Sequence, residues 1–446
     1  MALTGLDIYK HLPKTNCGKC GSPTCLAFAM KLAAKKAALE ECPTVSEGAK
    51  QALAAASEPP IRTVTLGSPE NKLEVGGETV LYRHDKTFYH PTGLGVLIAD
   101  NLPSAELDAN LKGFNRLVFD RVGQQVRTEI IALKNSSGKK EDFLAALNKI
   151  LSQTKAVLIL ISENIETLEE ALKLTAISRP LIYAAKAGNY EAMAGLAKKY
   201  NTALAVRGKD LDELAILAQK ISALGVKDLI LDTPERDGAK VLSTLTQIRR
   251  LALKKNFRPL GYPALTFTEG ADIAEDAALA AGYIIKYAGI VIVTGLESYE
   301  HLPLVAIRQN IYTDPQKPVA VEAKLYTIGG TPNEKSPVLV TTNFSLTYFT
   351  VEPEIINSKI PCYLIVADAE GMSVLTAWAA EKFSAETVWA TMQKFEIDKK
   401  VAHRKIIIPG YVTVMSGKLA DLSGWEVLVG PREASGLPAY LKNLSA

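Results

Sequence analysis

Residues 202–234 read TALAVRGKDLDELAILAQKISALGVKDLILDTP, and the fold turns on this stretch. TALAVRG and DLILDTP are short apolar runs without polar alternation. That suits strands buried on both faces, as in a parallel sheet. Between them, LDELAILAQKISALG carries apolar residues at helical spacing. A strand, a helix and a second strand at this interval make one βα repeat.

The rhythm continues on both sides. Eight such strands are expected between residues 85 and 312: LGVLIAD, TEIIALK, AVLILIS, RPLIYAA, TALAVRG, DLILDTP, PALTFTE and GIVIVTG. The helices between them include SAELDANLKGFNRLVFDRVG (104–123), KEDFLAALNKILSQ, YEAMAGLAKKY and LDELAILAQKISALG. Eight βα units point to an α/β protein built on a TIM (β/α)8 barrel. An open doubly wound sheet uses the same elements, and spacing alone does not exclude it. Ahead of the barrel, IRTVTLGSPENKLEVGGETVLYRH reads as a strand and a hairpin at its Gly-Gly pair.

A second α/β pattern starts near residue 317. Strand-like KPVAVEAKLYTIG, SPVLVTTN, PCYLIVAD, RKIIIPG and EVLVGP are interleaved with SLTYFTVEPEIINS, MSVLTAWAAEKF, AETVWATMQKF, YVTVMSGKLADLSG and SGLPAYLKNL. This predicts a small Rossmann-like domain. At the other end, TVSEGAKQALAAASEPP reads as a short helix running into a linker at Pro59 and Pro60. Three modules follow: residues 1–60, the barrel over 61–316, and the C-terminal domain over 317–446.

The totals fit a soluble globular chain. Of 446 residues, 48% are apolar and 22% charged, with a net charge of +3 spread over mixed signs. No concentrated basic face for nucleic acid is legible. The start, MALTGLDIYKHLPK, has no apolar signal region, and no apolar run reaches membrane-spanning length. A cytoplasmic protein is expected.

Four of the five cysteines crowd into NCGKCGSPTCLAFAMKLAAKKAALEECP: Cys17, Cys20, Cys25 and Cys42, spaced C-x2-C-x4-C-x16-C. In a reducing compartment such clusters bind metal or do redox work more often than they form disulfides. Paired C-x2-C knuckles, usual for structural zinc, are missing. The spacing favours a [4Fe–4S] cluster over zinc or a redox dithiol. Thr24 is a candidate N-cap that places Cys25 in the first turn of a helix, where the dipole favours a thiolate. A straight helix from Cys25 to Cys42 would separate them by roughly 25 Å. The helix must therefore break, and Lys35–Lys36 is the expected place. Cys362, inside apolar PCYLIVAD, reads as a buried small hydrophobe.

In open α/β sheets ligands sit beyond the carboxyl ends of the strands. The loops expected there are VTTNFS, ADAEGMS, IPGYVTVMSG and VGPREASG. Gly371, Gly410, Gly430 and Gly436 allow close backbone approach, and Thr341, Thr342, Ser373 and Ser435 offer hydroxyls. Neither G-x-G-x-x-G nor the P-loop pattern occurs, which argues against a dinucleotide or nucleoside triphosphate.

DIYKHLPKTNCGKCGSPTCLAFAMKLA resembles the iron–sulfur domain at the start of the large (gamma) subunits of the corrinoid iron–sulfur proteins of the acetyl-CoA (Wood–Ljungdahl) pathway. The order of cysteine module, barrel and small α/β domain is similar to that family over the whole chain. The resemblance implies a [4Fe–4S] cluster on Cys17, Cys20, Cys25 and Cys42. It also implies a cobamide, a cobalt corrinoid, held by the C-terminal domain. Its contacts would come from Thr341, Thr342, Thr347, Glu370, Gly371, Met372, Ser373 and Val374. A second set would be Gly410, Gly430, Arg432, Glu433, Ala434, Ser435 and Gly436. The implied role is a methyl carrier within a corrinoid-dependent transferase system of carbon fixation, with no catalytic residue assigned. Co(I) would take a methyl group from methyltetrahydrofolate through a separate methyltransferase and pass it to CO dehydrogenase/acetyl-CoA synthase. The cluster would reduce Co(II) when cobalt is oxidised. A smaller barrel subunit would complete a heterodimer.

D-x-H-x-x-G, which supplies a cobalt-ligating histidine in many cobamide domains, is absent. His403 precedes RKIIIPG, at the wrong end of its strand for a ligand, and His11, His84, His90 and His301 read as ordinary residues. Asp100, Asn101, Glu163, Asn164, Arg207, Asp232 and Glu269 fall at barrel strand ends, the face where barrel sites form. A capping role for the barrel over the cobalt is favoured. Two alternatives remain: a barrel that is itself a pterin-dependent methyltransferase, and a plain iron–sulfur electron-transfer subunit.

Overall fold

The computed structural model describes residues 4–33, 37, 39–46, 48–49, 53, 59–85, 87–233, 235–314 and 318–445. By compactness the chain forms two units. One comprises Met1–Phe119 with Val126–Tyr312, so the cysteine module groups with the barrel. The other comprises Asp120–Gln125 with Thr313–Ala446. The boundary expected at 316–317 lies outside the described residues, as does most of the helix expected over 44–60.

In the first unit, β1 (Val64–Leu66) and β2 (Leu73–Val75) form an antiparallel pair. The barrel strands are β3 (Gly93–Ala99), β6 (Ile130–Lys134), β7 (Val157–Ile161), β8 (Leu181–Ala185), β9 (Ala203–Arg207), β10 (Leu229–Asp232), β11 (Ala264–Phe267) and β12 (Ile290–Val293). They close in the order β10-β11-β12-β3-β6-β7-β8-β9, every pair parallel. Closure excludes the open-sheet alternative. All eight expected strands are present.

Alternation of side chains sorts the core into two layers. Ile130, Ala132, Val157, Ile159, Ala203, Ala205, Ile230 and Ile292 fill the barrel interior. Their neighbours Ile131, Leu133, Leu158, Leu160, Leu204 and Leu231 pack outward on the helices. Val64, Leu66 and Val75 join the interior layer beside the first residues of β6, β7 and β9, so the β1–β2 pair closes the amino end. The inward positions of β3 include Gly93, Gly95 and Leu97. A Cβ on Gly95 would stand 2.6 Å from Ile292 Cδ1 and 2.7 Å from Ile130 Cβ. Glycine there makes room for two isoleucines, each worth about 1.5–3 kcal/mol in burial.

Three expectations need correction. The helix expected over 104–123 ends at Asn115. LVFDRVG enters a two-stranded hairpin of β4 (Val118–Arg121) and β5 (Gln124–Arg127), turned by Val122 (φ 51) and Gly123 (φ 68). Two successive left-handed residues are what a two-residue hairpin turn requires. The hairpin turn expected at Gly76–Gly77 lies instead between Leu66 and Leu73, and the two glycines follow β2 with φ of 85 and 72. KPVAVEAKLYTIG yields a strand only at β13 (Leu325–Ile328).

The second unit has a five-stranded sheet in the order β13-β15-β14-β16-β17. β14 (Val338–Thr342), β15 (Cys362–Ala367), β16 (Lys405–Ile408) and β17 (Glu426–Val429) run parallel, and β13 pairs with β15 antiparallel. The helices Ser345–Ser358 and Leu437–Ser445 pack on one face with Leu339, Leu364 and Ile407. Val374–Ala379, Ala385–Lys394 and Ser416–Ser423 cover the other with Val338, Val340, Ile365 and Ile406. The chain leaves β14 towards β15 and then returns past it to β16. Strand order thus reverses beside β14, a crevice-forming switch point. Cys362 is fully buried and its thiol is pushed up to about 12 by burial, as expected of a packing residue.

Candidate functional site

The four cysteines lie in one short N-terminal module, and Cys20, Cys25 and Cys42 share its apolar cluster. The helix Cys25–Ala33 begins at Thr24, whose Oγ1 accepts from Ala27 N–H at 3.1 Å. Its described span runs to Ala33, and a 3-10 turn at Leu39–Glu41 leads to Cys42. The break expected at Lys35–Lys36 itself lies outside the described residues. Cys25 and Cys42 are buried in one apolar cluster with Ile8, Leu12 and Phe28, and Cys20 packs against it.

The sulfurs are met by donors. Asn16 N–H donates to Cys25 Sγ at 3.4 Å, and Asn16 Oδ1 accepts from Cys25 N–H at 2.8 Å. The backbone N–H of Lys19, with the Thr15 hydroxyl, holds the Cys17 thiol below its ordinary value. Thr44 bonds Cys17 and lies 3.7 Å from Cys42 Sγ. Ser22, between Cys20 and Cys25, is buried with its hydroxyl unpartnered.

This donor set fits an iron–sulfur cluster, which takes four thiolates and accepts hydrogen bonds at sulfur. The thiols stand farther apart than a shared ion needs: among the described residues no three His, Cys, Asp or Glu form a metal-binding group. Residues 12–24, which carry Cys17 and Cys20, contain neither helix nor strand.

A cavity of about 360 Å3 opens at the carboxyl edge of the C-terminal sheet, beside β14, β16 and β17. Of the residues expected at a ligand, Thr341, Thr347, Ser373, Val374, Gly430, Arg432, Glu433 and Ala434 line it. Thr342, Glu370, Gly371, Met372, Gly410, Ser435 and Gly436 do not. Thr342 points to the opposite face of the sheet, buried with its Oγ1 unpartnered. Glu370 is paired with Lys382 at 2.6 Å. A Cβ on Gly410 would lie 2.6 Å from Gly430 O, so this glycine lets two loops cross. Leu346, Thr350, Leu375, Tyr411 and Leu437 also line the cavity and were missed. Leu346 and Tyr411 fall just after strand ends, whereas Thr350, Leu375 and Leu437 belong to the helices that follow.

The walls are mostly aliphatic, with the hydroxyls of Thr341, Thr347, Thr350 and Ser373 among them. Leu346, Leu375 and Tyr411, with nearby Trp378 and Val414, are exposed in this unit, Val414 at 75%. Exposed apolar surface of this kind marks a binding face. An apolar cavity with an apolar collar and a few hydroxyls fits a large, flat, amide-bearing cofactor such as a corrinoid. His403 Nε2 donates to Ser336 O (3.0 Å) ahead of β16, away from this edge.

At the carboxyl ends of the barrel strands the polar residues are spent on one another. Asp232 is fully buried and contacts Tyr183 Oη (2.7 Å), Arg236 (2.9 Å) and Arg207 (3.3 Å). Burial pushes its carboxyl up against the pull of these guanidiniums. Asp100 accepts from Ser136 and Ser137 N–H at 2.8 Å each, Asn164 caps the helix Ile165–Thr175, and Glu163 pairs with Lys186.

The family model "CO dehydrogenase/acetyl-CoA synthase delta subunit" matches residues 63–441, and a model described as "Putative Fe-S cluster" matches residues 12–44. The corrinoid/iron-sulfur protein large subunit of Moorella thermoacetica is 51% identical over 443 residues, 99% of each chain. This chain belongs to the corrinoid/iron–sulfur protein large-subunit family. The family extends to the acetyl-CoA decarbonylase/synthase complex subunit gamma of Methanothermobacter thermautotrophicus, 38% identical over the full length of both chains. Solved structures similar to this family member include the dihydropteroate synthase of Vibrio fischeri (TM-score 0.39, 15% identity, 56% of this chain and 97% of that one). The Thermus thermophilus enzyme is comparable (0.38, 18%, 57% and 100%). No described helix is long and apolar enough to cross a membrane.

Proposed function

We propose that this chain is the methyl-carrying subunit of the acetyl-CoA pathway. It receives a methyl group from methyltetrahydrofolate through a separate methyltransferase and delivers it to acetyl-CoA synthase. The observation that carries this reading is the pairing, in one chain, of a four-cysteine module with an apolar cavity at a sheet switch point. When bound, a corrinoid supplies a cobalt that exchanges methyl groups, and an iron–sulfur cluster supplies single electrons to restore it. Cys17, Cys20, Cys25 and Cys42 hold the cluster. The hydroxyls of Thr341, Thr347 and Ser373 hold polar groups of the corrinoid, and Leu346, Leu375 and Tyr411 exclude water from its face.

Within the C-terminal unit the one histidine, His403, sits at the amino end of β16 and not at that edge. A smaller subunit pairs with the chain, and the methyltransferase and CO dehydrogenase/acetyl-CoA synthase are its successive partners. Anoxically purified protein should contain iron and cobalt, show corrinoid absorption, and become methylated only when the methyltransferase is added. Protein without corrinoid bands, or methylation by the chain alone, would refute the carrier role.

A further inference from the structure

We propose that Asn343 is a positioning residue for the ligand of the C-terminal cavity, an inference that rests on the cobamide reading above. Asn343 follows β14 and is buried. Its Oδ1 accepts from Ala369 N–H at 3.0 Å and from Gly371 N–H at 2.9 Å. Its Nδ2 donates to Asp368 Oδ1 at 3.1 Å. All three partners belong to the loop after β15. Its backbone is committed as well: the N–H donates to Ala367 O at 3.0 Å, and the carbonyl accepts from Val321 N–H at 2.9 Å.

The loop needs such a hold. Glu370 and Gly371 both have positive φ, 55 and 73, and a glutamate keeps that conformation only under constraint. Asp368 Oδ1 also accepts from Glu370 N–H at 3.1 Å, so one side-chain pair organises the whole turn. The turn runs directly into Ser373, Val374 and Leu375, which form one wall of the cavity. Asn343 is not itself a wall residue. It acts through the turn, fixing where that wall stands relative to Thr341 on β14.

Alanine and aspartate separate this role from a merely structural one. Asn343→Ala removes all three side-chain bonds. Asn343→Asp keeps an oxygen for the two N–H groups but sets a second carboxylate against Asp368. Full-length apoprotein is titrated with aquocobalamin, bound ligand being read by visible absorption and free ligand by equilibrium dialysis. Thermal midpoints are measured at alkaline pH on the same samples. Asn343→Ala should bind roughly tenfold to thirtyfold more weakly, because the released turn must be ordered again when ligand binds. Asn343→Asp should bind closer to wild type although its midpoint is the lowest of the three, because a buried carboxylate beside that of Asp368 is disfavoured. Affinity that simply follows the midpoint, or an alanine variant that binds as wild type does, would overturn the proposal and leave the cobamide reading intact. A wild-type chain that binds no aquocobalamin overturns both.

Discussion

The Tyr411 hydroxyl donates to Glu433 Oε1 at 2.5 Å, joining the turn after β16 to the loop after β17. Both residues line the cavity. The carboxylate holds the phenol above its ordinary value. Tyr411→Phe keeps the ring and removes the tie. Corrinoid should be lost faster during gel filtration of the variant, with iron content unchanged. Equal retention would show that the two loops hold their places without it.

Thr347 stands on the helix Ser345–Ser358 with its side chain on the cavity. Thr347→Trp places an indole in empty space, where the fold has no need to move. The ratio of cobalt to iron in purified protein should drop severalfold while the thermal midpoint changes little. A ratio equal to wild type would place the corrinoid elsewhere.

Cys20→Ala removes one of four thiols in the N-terminal module. Iron content should fall, because the remaining three cannot close a four-thiolate site. Freshly reduced variant should still transfer methyl groups at the wild-type rate, but protein oxidised in air should no longer recover activity. Loss of transfer in the freshly reduced sample would assign the cluster a part in the transfer itself.

Glu300 is fully buried on the helix Ser298–Ile311, and neither carboxylate oxygen has a partner. Burial, with the nearby carboxylates of Asp276 and Glu297, pushes it up from 4.5 to about 7. Between these values the folded protein holds a proton that the unfolded chain releases. Stability from this residue is therefore fully present below about pH 4.5 and declines until about pH 7. Glu300→Gln, neutral throughout, should remove that decline and raise the midpoint above neutrality. Melts from about pH 5 to about pH 8 would show it, and parallel curves for the two proteins would contradict it.

The eight barrel strands were legible because strands buried on both faces leave continuous apolar runs, as in VLILI and LIYAA. The cysteine spacing carried the N-terminal site, while the bend it demands before Cys42 falls outside the described residues. LVFDRVG was misread because its apolar spacing suits a helix, whereas Val122 and Gly123 turn left-handed and make a hairpin. Nothing local announces that choice at a valine.

The sequence alone determined which elements exist, which cysteines belong together, and which loops meet at one edge of the C-terminal sheet. Those are consequences of hydrophobic period and residue chemistry, both local. Tertiary structure decided which residues of those loops face a ligand. Thr341 and Thr342 are adjacent and chemically identical, yet one lines the cavity and the other is buried on the opposite face. A strand turns successive side chains to opposite faces, and only the packing of the helix Ser345–Ser358 on one of them decides which face holds the cavity.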